Sequence, residues 1–148
     1  MIRIAQPDDR AEVQALLEVA GLPTEGVDEH FHSFFVADEG GHIVGAAGIE
    51  VRGRHALLRS VVVADDARGT GIGSALTRRA LHEAIALDLR GVYLLTTTAE
   101  AFFRRFGFER AVREETPVLV QQSVEFRGAC PESAIAMRLH LGAGEPAS

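Results

Sequence analysis

Lysine and tryptophan are absent from this chain of 148 residues, and cysteine and tyrosine each occur once, as Cys130 and Tyr93. A lone cysteine excludes an internal disulfide and leaves any metal site dependent on other ligands, which fits a reduced compartment. Without lysine, every side-chain cation is one of 15 arginines or a protonated histidine, set against 21 acidic residues for a net charge of −6. That balance argues against nucleic acid as a partner, because phosphate-backbone binding rests on clustered positive charge. It also removes the lysine that a Walker-type loop requires. Long apolar runs are missing too. Nothing approaches the roughly 18 residues that span a bilayer, and the opening "MIRIAQPDDR" lacks a basic-then-apolar leader plan. No membrane role and a cytoplasmic location are expected.

What is present, 47% hydrophobic and 24% charged residues, suits one globular domain with a buried core. "IRIA" reads as an opening strand. "PDD" starts a helix over residues 8–20, with Val13, Leu16, Leu17 and Ala20 at helical spacing and Gly21-Leu22-Pro23 as its stop. "TEGVDEHFHS" is a short helix, followed by strands over 34–38, 43–51 and 56–64 that turn at "EGG" and "RGR". The third strand contains "LLRSVVVA", nearly unbroken in apolar residues, as a strand covered on both faces is.

Residues 71–89 return to helical spacing, with Ile72, Ala75, Leu76, Ala80, Ala84 and Leu87 on one face. "VYLLTTT" is a strand, "TAEAFFRRFGFER" begins as a helix of about two turns, and 108–112 and 134–141 are strands. Residues 117–126 read as a helix or an irregular flap. This order predicts an α/β (α+β) architecture, one domain over residues 1–141 with a single central mixed sheet flanked by helices. Residues 142–148 read as a disordered tail.

Chemistry concentrates in "VVVADDARGTGIGSAL", where a strand ends and glycines at alternate positions lead into a helix. Gly69, Gly71 and Gly73 remove side chains where a ligand approaches the backbone, and a helix start offers its N–H groups to an anion. A phosphate or pyrophosphate belongs there. The spacing is not the dinucleotide Gly-x-Gly-x-x-Gly, and the unit does not open a βαβ repeat. A glycine turn that merely caps a helix is the alternative.

Arg68-Gly69-Thr70-Gly71-Ile72-Gly73 resembles the Arg/Gln-x-x-Gly-x-Gly/Ala signature of the GCN5-related N-acetyltransferase (GNAT) superfamily. "LRSVVV" resembles its central strand and "AEAFFRRFGF" its later Ala-x-x-Phe-Tyr-x-x-x-Gly-Phe segment. A closer likeness, on "ALLRS", "YLLTTTAE", "FFRRFGF" and "EFRGACPESA", is to small acetyltransferases of arsenic-resistance operons. The resemblance implies a GNAT fold with a mostly antiparallel, twisted sheet, and acetyl-CoA as cosubstrate with no metal. It implies that Val61, Val62 and Val63 offer backbone groups to the pantetheine arm and thioester carbonyl. Arg68, Gly69, Thr70, Gly71, Ile72, Gly73 and Ser74 would grip the pyrophosphate.

Acetyl transfer to an amine moves one proton off the ammonium and one onto the departing thiolate, unless the thiolate leaves as such. Glu50 resembles the position of a family glutamate that acts as base; its other reading is an exposed strand-end carboxylate. For the acid, the family tyrosine is here Phe103, which has no proton to give but can pack on the pantetheine arm, while Phe102 reads as core. Thr96 replaces an asparagine that often contacts CoA. Tyr93 is an alternative donor or a half-buried strand aromatic; Cys130, Ser133 and water are others.

His30 and His32 have His-x-His spacing without companion ligands, so no metal site is expected. Arg59, Arg104, Arg113 and Arg127 are surface charges or ligands for an acidic acceptor. The expected activity is direct transfer in a ternary complex to the amine of a small molecule, the arsenic link suggesting a glutamate-like organoarsenical or phosphinic toxin. A non-catalytic acyl-CoA-binding domain and a protein or peptide acetyltransferase are the alternatives. Self-association into a homodimer is left open.

Overall fold

Short apolar runs separated by glycine turns become strands, and the two stretches with helical spacing become the long helices. A computed structural model describes residues 1–142; of the expected tail, all but Gly142 lies outside the described residues. The elements are β1 (Ile2–Ile4), α1 (Arg10–Ala20), α2 (Val27–His30), β2 (Phe34–Glu39), β3 (His42–Arg52), β4 (His55–Val63), α3 (Ile72–Ala86), β5 (Gly91–Thr96), α4 (Glu100–Arg104), β6 (Glu109–Arg110), α5 (Val118–Gln121) and β7 (Ile135–His140). The strands form one sheet in the order β1-β2-β3-β4-β5-β7-β6. β4 and β5 run parallel, while β1-β2, β2-β3, β5-β7 and β6-β7 are antiparallel. The mixed, mostly antiparallel sheet with flanking helices is as the sequence predicts. By its contacts the chain divides into two compact units, Met1–Glu50 with Leu58–Glu83, and Val51–Leu57 with the chain from Ala84 onward.

In the first unit α1 buries Val13 and Leu17 completely, against Val27, Phe31, Phe34, Val36, Ile43, Ala46 and Val62. Burying a side chain such as Phe34 is worth about 1.5–3 kcal/mol. Phe34 needs its neighbour to be glycine, since a Cβ on Gly48 would lie within 2.3 Å of its ring. Ala20, expected on the buried stripe, is exposed, because Gly21 at φ 71 ends the helix there. Side chains alternate across a strand, so Phe35 and Gly45 face away from α1. A Cβ on Gly45 would meet Leu76 Cδ1 at 2.9 Å, and the Arg79 guanidinium lies 4.3 Å from the Phe35 ring centroid. These contacts seat α3. The helix ends at Ala86, short of the expected residue 89, with Leu87 47% exposed and Asp88 at φ 58.

In the second unit β5 pairs with β7 from Gly91↔His140 to Thr96↔Ile135. Phe103 is 7% exposed, its ring 5.0 Å from Phe102 and 5.9 Å from Phe108. Phe102, read as core, is only half-buried, with Arg105 5.2 Å over its ring. The helical face turned inward is one residue later than the sequence suggested. The segment 117–126 is partly helical, as α5 and the start of a helical turn over Glu125–Ala129.

α4 and β6 are tied together by one carboxylate. Glu100 accepts from Arg104 at 2.7 Å and from Arg110 at 2.7 and 2.8 Å, and Arg110 first, then Arg104, holds its pKa down at about 2. A depressed carboxylate adds stability above its ordinary value, and that stability is lost as pH falls through the folded value. Urea melts of the wild type and Glu100→Gln should therefore differ near pH 5 and converge toward about pH 2. Identical acid dependence in the two proteins would refute the linkage.

Candidate active site

β4 ends at Val63, and Ala64 N–H donates to the Val44 carbonyl at 2.8 Å, fixing the strand end to β3. A 3-10 turn over Asp65–Ala67 follows. Thr70 Oγ1 donates to the Ala67 carbonyl at 2.5 Å, and Arg68 Nε lies 3.4 Å from Asp65. Gly69 and Gly71 have φ values of 79 and 84, and a Cβ at either would meet nothing within 4 Å. They are glycines for backbone conformation and open approach rather than for lack of room. Ala75 N–H donates to the Gly71 carbonyl at 3.0 Å, joining the glycine turn to the first turn of α3. Together with the positive end of a helix of 15 residues, this geometry suits a phosphate.

Of the three valines read as cofactor contacts, Val62 is buried and Val61 and Val63 are half-buried. Val62, Val63, Ala64 and Arg68 wall a groove of about 360 Å³ whose opposite side is α1.

A second cluster in the same unit centres on Glu50, which is fully buried rather than exposed. Arg59 on β4, also 0% exposed at its side chain, donates from Nη1 to Glu50 Oε1 at 3.1 Å. Its Nη2 donates to the Glu25 carbonyl at 2.5 Å and its Nε to Ser60 Oγ at 3.1 Å. Ser60 has φ 59, unusual for a residue with a Cβ. His30 Nε2 lies 3.6 Å from Glu50 Oε1, with its side chain 23% exposed. Arg59 is thus neither a surface charge nor a loose anchor. The signal that could have found this cluster was a single arginine inside an apolar strand, since a buried cation calls for a buried anion.

In the second unit Tyr93 is 8% exposed, its ring 5.7 Å from that of His55. This placement favours a strand aromatic over a proton donor. Burial first, then Arg90, His140 and Arg54, pushes the His55 pKa down. Thr96 Oγ1 accepts from Ala99 N–H at 3.0 Å, opening α4. Cys130 is buried and Ser133 exposed. Arg104 pairs with Glu100, Arg113 donates to the carbonyls of Glu132 and Ala134, and Arg127 is exposed. Arg138 on β7 has a buried Nε without a hydrogen-bond partner. His30 and His32 sit on consecutive helical turns, not on a strand. Among the described residues no group of three or more His, Cys, Asp or Glu side chains could hold a metal ion.

A glycine turn that feeds a helix start at the end of a strand is a geometry suited to an anionic ligand. Residues 30–110 match the acetyltransferase (GNAT) domain. An uncharacterised N-acetyltransferase of Chlorobaculum tepidum is 31% identical over 119 residues, 78% of this chain and 76% of that protein. The chain belongs to the GNAT acetyltransferase family and is an N-acetyltransferase using acetyl-CoA. Among solved structures, Rv2747 of Mycobacterium tuberculosis, in complex with CoA, has a TM-score of 0.78 at 24% identity, covering 96% of this chain and 99% of that one. N-acetylglutamate synthase of Neisseria gonorrhoeae, complexed with CoA and N-acetylglutamate, has a TM-score of 0.82 at 20% identity. That match covers 97% of this chain, which spans 35% of the synthase chain. At these identities both likenesses speak for the fold alone. Among the described residues, no helix is long and apolar enough to cross a membrane.

Removing one partner of a buried ion pair leaves an uncompensated charge and typically costs about 3–5 kcal/mol. Arg59→Met is expected to lose about that much stability in urea melts. The double variant Glu50→Gln/Arg59→Met should lose less; a double variant at least as unstable as the single one would show that the pair is not what Arg59 contributes.

Proposed function

We propose that the chain transfers the acetyl group of acetyl-CoA directly to the amine of a small, amino-acid-like molecule within a ternary complex. The β4–α3 turn carries this reading. Gly69 and Gly71 open the backbone, the α3 amides face the approach, and residues 68–74 hold the pyrophosphate. Val61, Val62 and Val63 line the pantetheine arm, and the groove walled by Val62 and Val63 supports that placement. Thr96 and Phe103 complete the set by the family likeness of their segments. Acetyl-CoA supplies an activated acyl group; the chain's own part is to bind it, to place the amine and to take one proton from the acceptor ammonium. Glu50 is the carboxylate of that proton system.

The finer reading is a glutamate-like acceptor, an organoarsenical or phosphinic analogue, whose α-amine loses its charge on acetylation. Such a product no longer fits an enzyme that recognises glutamate. Its support is the likeness of "ALLRS", "YLLTTTAE" and "EFRGACPESA" to acetyltransferases of arsenic-resistance operons, and a cation set made only of arginine.

Release of free thiol from acetyl-CoA across a panel of amino acids, glutamate analogues and peptides tests this. Turnover of a small amino acid is the expected result. Acetyl-CoA binding without turnover would instead favour a non-catalytic domain, and turnover of peptides alone a protein acetyltransferase. Gly71→Val forces a branched side chain into left-handed backbone at φ 84, at roughly 1–2 kcal/mol. KM for acetyl-CoA should rise about tenfold, with KM for the acceptor little changed.

A further inference from the structure

Basic side chains gather at one end of the second unit's sheet. Arg90 N–H donates to the Arg54 carbonyl at 2.7 Å, and the Arg90 carbonyl accepts from Leu141 N–H at 2.9 Å. These bonds tie the β3–β4 turn, the entry to β5 and the exit of β7 together. His55, Gly91 and His140 stand opposite one another across β4, β5 and β7. Directly paired residues share a face of the sheet, so the two imidazoles flank a position without a side chain, about 10 Å apart at the backbone. A Cβ on Gly91 would lie 3.4 Å from His55 Cδ2 and 3.1 Å from the Leu139 carbonyl. The His55 ring therefore lies over β5, edge to the Tyr93 ring at 5.7 Å. Two residues back along β7, on the same face as His140, is Arg138 with its buried Nε unpartnered. Among the described residues, Arg54, Arg90 and His140 are exposed and form no ion pair or side-chain hydrogen bond. Asp88, two residues before Arg90, and Glu109, opposite Arg138 on β6, are exposed too. The local field shows in His55, whose pKa is pushed down by burial first and then by Arg90, His140 and Arg54, with no acid among the causes.

We propose that this end of the sheet binds a small tetrahedral dianion, free phosphate or the head of a phosphate monoester, through Arg54, Arg90, His55 and His140. A guanidinium meets phosphate oxygens with paired N–H donors, and an imidazolium donates from either ring nitrogen. Arg138 adds positive charge on the same face. Like charges held together without an anion repel one another, and a bound dianion relieves that repulsion. The net charge of −6 opposes a long polyanion, whereas a compact one answers mainly to charges within a screening length. Binding also draws protons, because a dianion beside His55 favours the charged imidazole and reverses the effect of the neighbouring cations. The site is separate from Thr96, read above as an acetyl-CoA contact, since Thr96 ends the strand that Gly91 begins.

Calorimetric and NMR titrations of the full chain near neutral pH, with inorganic phosphate and with glycerol 3-phosphate as probes, test this. Both should bind with a Kd of about 1 mM or below, and a tighter ester would mark a phosphorylated ligand, an equal or weaker one free phosphate. Acetate, a monoanion, should bind about tenfold more weakly. Arg54→Gln and Arg90→Gln, both at exposed positions, should each weaken phosphate binding about tenfold, while Arg78→Gln on α3 should not change it. Phosphate should raise the midpoint of the His55 imidazole by about one pH unit. No binding of either probe at about 10 mM, acetate bound as tightly as phosphate, or a His55 midpoint indifferent to phosphate overturns the proposal. The imidazole titration uses the wild type, so it decides even where a variant does not fold. Saturating acetyl-CoA should leave phosphate affinity unchanged; competition would give the cluster to the cofactor and overturn a separate site.

Discussion

The bond between Arg59 and Glu50 is the constraint on which the β3–β4 side of the first unit depends. Two side chains with no exposed surface have each lost their hydration, a cost of several kcal/mol per ion. Only good geometry and further hydrogen bonds offset it. Arg59 supplies these by spreading its donors over Glu50, the Glu25 carbonyl and Ser60 Oγ. The consequence is positional. One guanidinium fixes β3, the loop leading into α2, and the left-handed residue of β4 to one another. An apolar pair of equal volume would fill the same space without specifying which carbonyl or hydroxyl stands where.

That arrangement also explains which parts of the fold were legible in the sequence. Strands and long helices follow from period and turn chemistry, and the glycine run announced its turn because few other residues adopt φ near 80. The Glu50 cluster was hidden for a physical reason. A pattern of apolar and polar residues assigns charged side chains to the surface, and it sees no partner that lies nine residues away along two strands. Arg59 therefore read as a surface or ligand charge, and Glu50 as a base or an exposed strand-end carboxylate, when both are interior. Phe103 rather than Phe102 is the more buried of the pair, because a short helix leaves the inward-facing position to be decided by its neighbours. Here Phe108 selects Phe103, closing a ring cluster.

The substitution of phenylalanine for the family tyrosine bears on chemistry less than it first suggests. A thiol has an ordinary pKa near 8.5, so a departing thiolate needs little help from an acid at neutral pH. An ammonium of an amino acid holds its proton at about the same level or above it, and until it is lost the nitrogen has no electron pair with which to attack. The harder proton is the one to be removed. A chain that buries Phe103 in a ring cluster and Tyr93 against His55 can spare its acid. It cannot spare a base, because the acceptor nitrogen attacks only after its proton has left.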